Sequence, residues 1–167
     1  MAEPKIKPFV ISRVFDAPRD RVWQAWTEVE RLKQWFSPKG FTRIAAKMDF
    51  CVGGIYHYGM RTPTGQEIWG RFLYREIVKP ERLVWINSFS DKDGGLTTHP
   101  MNPACPREML TTLSFKALGG KTEVTIDWIP VEGSTESEFG TFDKGRDSMQ
   151  MGWTGTLDQF SAYLAKG

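Results

Sequence analysis

The hydrophobic positions of the chain switch between strand and helix periods as it runs. From Pro8 to Phe15, PFVISRVF has the mixed alternation of a strand, and Asp16-Ala17-Pro18 ends it with a good helix entry, since proline suits a first helical turn. In PRDRVWQAWTEVERLKQWF the apolar residues Val22, Trp26, Val29, Leu32, Trp35 and Phe36 recur at intervals of three and four, which predicts a helix, with a break near Thr27 allowed for. Ser37-Pro38-Lys39-Gly40 ends that segment.

Alternation then dominates as far as Pro130. FTRIAAKMDF opens a sheet that continues through GGIYHYGMRTPTGQEIWGRF, in which Arg61 to Gly65 carry hairpin-turn chemistry. On the first strand of this hairpin Tyr56, Tyr58 and Met60 share one side, and Ile55, His57 and Arg61 the other, so His57 is expected to face outward. On the second, Glu67, Trp69 and Arg71 share a face, and this face is expected to look inward. RLVWINSF is a further strand, with Leu83, Trp85, Asn87 and Phe89 on one side. The stretch from Ser90 to Pro106 is the longest loop, of a kind that often covers a site, and a lid is expected there. REMLTTLSFKAL and KTEVTIDWI form a hairpin about Gly119-Gly120, with Leu113 and Phe115 facing in from one strand and Val124, Ile126 and Trp128 from the other.

Beyond Pro130 the helical period returns. Thr135 to Glu138, TESE, fits a capping box. Phe139, Phe142, Met149, Trp153, Leu157, Phe160 and Leu164 then fall on one helical face over roughly thirty residues, or about 45 Å. Gly140, Gly145, Gly152 and Gly155 interrupt the pattern, each costing about 1 kcal/mol relative to alanine. A bend is therefore expected, or a start only after Gly140 or Gly145. The order is strand, one or two helices, about six antiparallel strands and a long closing helix.

Composition narrows the function classes. The length of 167 residues fits one ordinary domain, and seven tryptophans promise large buried rings. The net charge of +2 arises from 22 basic and 20 acidic residues with no run of one sign, so nucleic acid is not expected as a partner. No apolar run reaches membrane-span length and MAEPKIKPFV has no signal-peptide core, so a cytoplasmic location is expected and a membrane is not. Cys51 and Cys105 lack CxxC spacing and read as reduced thiols.

FDAPRDRVWQAWTEVERLKQWF, VGGIYHYGM, LYREIVKPERLVW, GGKTEVTI and GWTGTLDQFSAYL, taken in that order, resemble the helix-grip fold of the START-like (SRPBCC) superfamily. Within it, the chain is most similar to the branch named after the C-terminal domain of the activator of the 90-kDa heat-shock chaperone ATPase. The resemblance implies an α+β fold in which a curved antiparallel sheet of about six or seven strands wraps a long C-terminal helix, with two short helices after the first strand. It implies one START-like domain over residues 1–167, with its core at about 8–165, and a cavity between sheet and helix. The activator's separate N-terminal domain, which makes most of the chaperone contact, has no counterpart here, so a chaperone partner is not the leading expectation; a homodimer is allowed for.

Within that frame the candidate ligand-binding residues are Tyr56, Tyr58, Met60, Glu67, Trp69, Arg71, Trp85, Asn87, Trp128, Met149 and Trp153. The indoles suit a flat apolar molecule, and Asn87, an amide on the inward parity, needs polar partners if buried. Glu67 and Arg71 together would polarise a carbonyl or, more plainly, form a solvated ion pair. His57 and His99 are the only histidines, with neither HxH nor HExxH spacing, so no metal or cofactor is expected. No G-x-S-x-G elbow or dinucleotide fingerprint occurs. The leading expectation is a binding protein for a hydrophobic or aromatic small molecule. The alternatives are a cyclase, dehydratase or hydrolase using the same cavity, with Glu67, His57 or Arg71 in the chemistry, and a chaperone-interacting module.

Overall fold

The computed structural model describes residues 6–37, 40–97 and 104–166. Its elements are β1 (Phe9–Phe15), α1 (Arg19–Thr27), α2 (Val29–Trp35), β2 (Thr42–Met48), β3 (Ile55–Arg61), β4 (Glu67–Val78), β5 (Arg82–Ser90), β6 (Glu108–Leu118), β7 (Lys121–Pro130), α3 (Glu136–Lys144) and α4 (Arg146–Ala165). The strands form a seven-stranded sheet in the order β1-β7-β6-β5-β4-β3-β2, every neighbouring pair antiparallel. Chain order and sheet order agree except that β1 closes beside β7, which brings the first and last strands together.

Each helical break predicted from the pattern has a local cause. Between α1 and α2, Glu28 is extended (φ −107°, ψ 123°), and Thr27 turns its hydroxyl back onto the Trp23 carbonyl at 2.8 Å. A threonine bonded in this way competes with helix continuation. Between α3 and α4, Gly145 leaves the helical region (φ −89°, ψ 8°), and its N–H is shared between the carbonyls of Thr141 and Phe142. The capping box at Thr135 is complete: its hydroxyl accepts from Glu138 N–H, and the Glu138 carboxylate accepts from Thr135 N–H. The closing helix is therefore two pieces. The second helix ends at Trp35, and Pro38, Lys39 and residues 98–103 of the long loop, His99 included, lie outside the described residues.

Rings from three directions fill one end of the space between sheet and helices. Trp26 meets Trp35 edge-on at 4.6 Å, Trp35 lies 4.2 Å from Phe160, and Phe160 lies 4.8 Å from Phe15. Trp35 donates its indole N–H to the Ala25 carbonyl at 3.1 Å, whereas the buried indole N–H of Trp26 has no partner among the described residues. The same end is tied down at its rim, where Arg21 donates to the Leu164 carbonyl at 2.6 Å and Arg13 pairs with Asp158 at 2.8 Å. The C-terminal half of α4 is thus clamped, and the space that remains lies under its N-terminal half.

Candidate functional site

Beneath α3 and the first turns of α4 lies a cavity of about 520 Å³. The sheet contributes Tyr58 and Met60 from β3, Asn87 from β5, Met109 from β6 and Trp128 from β7, and the helices contribute Phe142, Met149 and Trp153. Trp128 and Trp153 meet edge-on at 5.8 Å, one indole from the floor and one from the roof. These walls are mainly apolar and aromatic, and among the polar residues that also line the cavity the amide of Asn87 donates to the hydroxyl of Tyr58 at 3.4 Å.

The register of the β3–β4 hairpin explains how Tyr58 reaches that position. Tyr58 lies opposite Gly70 and Gly59 opposite Trp69. A Cβ on Gly70 would come within 2.5 Å of the Tyr58 hydroxyl, and one on Gly59 within 2.7 Å of the Trp69 ring. Each aromatic side chain therefore lies flat over a glycine of the neighbouring strand, Tyr58 on the inner face and Trp69 on the outer. Burial pushes the Tyr58 phenol up to about 12, with the hydrogen bond from Asn87 acting in the opposite direction. At neutral pH it is a protonated hydroxyl able to donate.

Arg43 stands behind this wall. On the edge strand β2 it pairs with Met60, and its guanidinium lies over the Tyr58 ring, 5.4 Å from the centroid. All three guanidinium nitrogens are buried, with no hydrogen-bond partner among the described residues. Burial raises the pKa of the neighbouring Tyr56 phenol, and the positive charge of Arg43 works against that rise.

The residues predicted for the site divide into three groups. Tyr58, Met60, Asn87, Trp128, Met149 and Trp153 line the cavity. Tyr56 and Trp85 face inward but are packed behind it, Tyr56 stacked on Tyr58 at 5.3 Å and Trp85 on Phe72 at 4.5 Å. Glu67, Trp69 and Arg71 are on the opposite face of the sheet, which corrects the inward placement expected for them. Tyr56 and Tyr58 lie opposite Phe72 and Gly70, so up to Tyr74, where the register shifts, the even-numbered residues of β4 share their face and the odd-numbered ones look out.

Nor do Glu67 and Arg71 pair with each other. Glu67 meets Arg61 at 3.4 Å and accepts from the Trp69 indole at 3.2 Å, while Arg71 donates to Ser88 at 3.4 Å and to the Gly94 carbonyl at 3.1 Å. His57 faces outward as expected, stacked on Trp69 at 5.2 Å with Nε2 3.1 Å from the Asp91 carbonyl oxygen. None of the three residues proposed for acid–base chemistry reaches the cavity. Among the described residues no cluster of His, Cys, Asp and Glu is arranged to hold a metal. Cys51 and Cys105 are free thiols, and Cys105 lines the cavity, where burial raises its pKa.

Sequence reasoning missed Phe36, Met109, Arg107 and Arg43. Phe36 and Met109 follow from patterns already present, the apolar face of the second helix and the inward parity of β6. Arg43 gave no such signal, because β2 is an edge strand with a register shift between Arg43 and Ala45, and its faces cannot be read by alternation.

A curved antiparallel sheet roofed by a C-terminal helix, with an apolar cavity between them, defines an α+β protein of the START-like, helix-grip class. The chain belongs to the family described as Activator of Hsp90 ATPase homolog 1-like protein, whose model matches residues 16–165. Among solved structures it is similar to a protein from Arthrobacter aurescens, at 26% identity and a TM-score of 0.75, covering 96% of this chain and 87% of that one. It is also similar to a protein from Mycobacterium smegmatis (22% identity, TM-score 0.74, 93% of this chain and 88% of that one). A third similar structure is an AHSA1 protein from Silicibacter pomeroyi (17% identity, TM-score 0.71, 95% of this chain and 97% of that one). A comparison with curated proteins finds no match. No helix among the described residues is long and apolar enough to cross a membrane.

Proposed function

We propose that this protein binds a small hydrophobic, aromatic or polyketide-like molecule between its sheet and its closing helices. The observation that carries this reading is the cavity itself: about 520 Å³, within the range of roughly 300–1,000 Å³ usual for small-molecule sites. Its aromatic and thioether walls supply apolar burial, at about 25 cal/mol per Å² before ordering costs are subtracted. Tyr58 and Asn87 orient the guest through the polar atoms that their mutual hydrogen bond leaves free. Residues 8–165 act in this reading as one ligand-binding unit.

Binding is preferred to catalysis on a specific ground. Cyclase, dehydratase or hydrolase chemistry needs a group that exchanges a proton near neutral pH. Among the described residues that line the cavity there is no carboxylate and no histidine, and the ionisable side chains are Tyr58, Cys105 and Arg107. Thermal melts of the purified protein against a panel of aromatic and lipid-like compounds test the proposal. At a hundredfold excess over Kd a true ligand stabilises by about 2.7 kcal/mol, so at least one compound raises the melting temperature by several degrees. A flat response across the panel would count against the proposal.

A further inference from the structure

The side chains that line the cavity bring no negative charge. Among the described residues that line it there is no aspartate or glutamate, and the charged member is Arg107, at the start of β6. Directly behind the wall formed by Tyr58 and Met60 lies the guanidinium of Arg43. Arg107 is exposed, and the Glu138 carboxylate bonded to its backbone N–H offsets part of its charge. Arg43 has no carboxylate to offset it: its nitrogens are buried, it forms no ion pair among the described residues, and its charge faces the ring of Tyr58 and the phenol of Tyr56. The polar groups nearest to it, the hydroxyls of Tyr56 and Tyr58 and the amide of Asn87, are neutral and have protons to give. Buried charges in folded proteins are paired, and an interior that supplies a cation and donors without an anion is complementary to an anion from outside.

We infer that the cavity selects ligands carrying an oxyanion, the simplest being an aromatic or aliphatic carboxylate. The anionic end lies at the Tyr58–Asn87 end of the cavity within the field of Arg43, and the apolar body lies among Trp128, Met149 and Trp153. Met60, unbranched and flexible, is the part of the wall that yields if the head group is to touch the guanidinium itself. This inference rests on the binding reading above and narrows it from hydrophobic molecules at large to hydrophobic acids.

The test compares matched probes of one shape and two charges, 2-naphthylacetate and 2-naphthylacetamide, titrated calorimetrically into the full chain and into Arg43→Met, Arg43→Lys and Arg107→Gln. The wild-type protein is expected to bind the acid at least about tenfold more tightly than the amide, the scale of one charge-assisted hydrogen bond. Arg43→Met should erase that preference while leaving amide affinity within about twofold, Arg43→Lys should keep most of it, and Arg107→Gln should keep it nearly whole. Equal wild-type affinity for acid and amide overturns the inference and leaves the binding reading intact. A preference that survives Arg43→Met but vanishes in Arg107→Gln overturns the assignment to Arg43. Binding of neither probe, together with a flat thermal panel, removes the binding reading and this inference with it. If Arg43→Met fails to fold, the wild-type ratio and Arg43→Lys still decide.

Discussion

One carboxylate of Glu138 serves two elements at once: Oε1 accepts from Thr135 N–H at 3.0 Å to complete the capping box of α3, and Oε2 accepts from Arg107 N–H at 2.9 Å. The start of the cavity roof and the start of β6 are thereby held by the same side chain. Thr135→Ala should lower stability by about 1 kcal/mol, the usual cost of a lost cap. Glu138→Ala should cost more, because it also releases Arg107, and the double variant should cost less than the sum of the two. Urea unfolding of the three variants measures this; strict additivity would show that the cap and the tie are independent.

The glycine beneath Tyr58 sets that ring's position. Gly70→Ala introduces a Cβ within 2.5 Å of the phenol oxygen, forcing the ring off its place and away from Asn87. We expect a loss of about 1–3 kcal/mol from overpacking, together with a changed near-ultraviolet circular dichroism signal. Wild-type stability and spectrum in the Gly70→Ala variant would mean that Tyr58 does not lie over that strand.

Two tryptophans distinguish the filled end of the interior from the open one. Trp35 is enclosed by Trp26, Phe36 and Phe160, whereas Trp153 borders the cavity. Trp35→Ala should cost about 3–5 kcal/mol, the range for a packed aromatic ring, and Trp153→Ala clearly less, since it has fewer neighbours to lose. Equal losses on chemical unfolding would indicate an interior packed alike at both ends.

Alkaline pH should unfold the protein through its buried phenols. Burial raises the pKa of Tyr58 to about 12 and raises those of Tyr56 and Tyr74 as well. In the unfolded chain tyrosine loses its proton near pH 10, so the stabilisation is complete below about pH 10 and declines as pH rises towards the folded values. Each tyrosine contributes a slope of up to about 1.4 kcal/mol per pH unit over that window. Unfolding free energy measured from about pH 8 to about pH 11.5 should be flat and then fall, with tyrosine ionisation, followed by ultraviolet absorbance, coinciding with loss of tertiary structure. Full ionisation near pH 10 with the fold intact would contradict the burial of these hydroxyls.

The outer face of β4 should be silent in binding. Glu67→Gln breaks an exposed pair with Arg61, and the expected change is within about 0.5 kcal/mol for stability and none for ligand affinity. A lost affinity in titration would return Glu67 to the site.

The fold was legible because periodicity and turn chemistry agree along most of the chain. The breaks at Thr27 and near Gly145, the hairpin at Gly119-Gly120 and the inward parities of Tyr58, Asn87 and Trp128 all follow from local sequence. The placement of Glu67, Trp69 and Arg71 did not, for a physical reason. Alternation says which residues of a strand share a face but not which face is inside, and Trp69, large and aromatic, resembles a core residue while its partner Gly59 makes room for it on the outside. Phe72 and Tyr74, buried and on the other parity, were the better guide. Arg43 was illegible for a different reason, since the environment that makes it unusual is assembled from strands far along the chain.

The interruption at Gly145 leaves the roof in two pieces of unequal grip. The later piece buries Leu157, Phe160 and Leu164 in the ring cluster, whereas in the nine-residue first piece Phe142 is the buried anchor. On the binding reading proposed above, loosening α3 requires release of Phe142 and of the Glu138 tie to Arg107, while the packing of the later piece is left in place. In that reading the residence time of a guest and the stability of the whole protein are separately adjustable, the first by changes in α3 and the second by changes around Trp35.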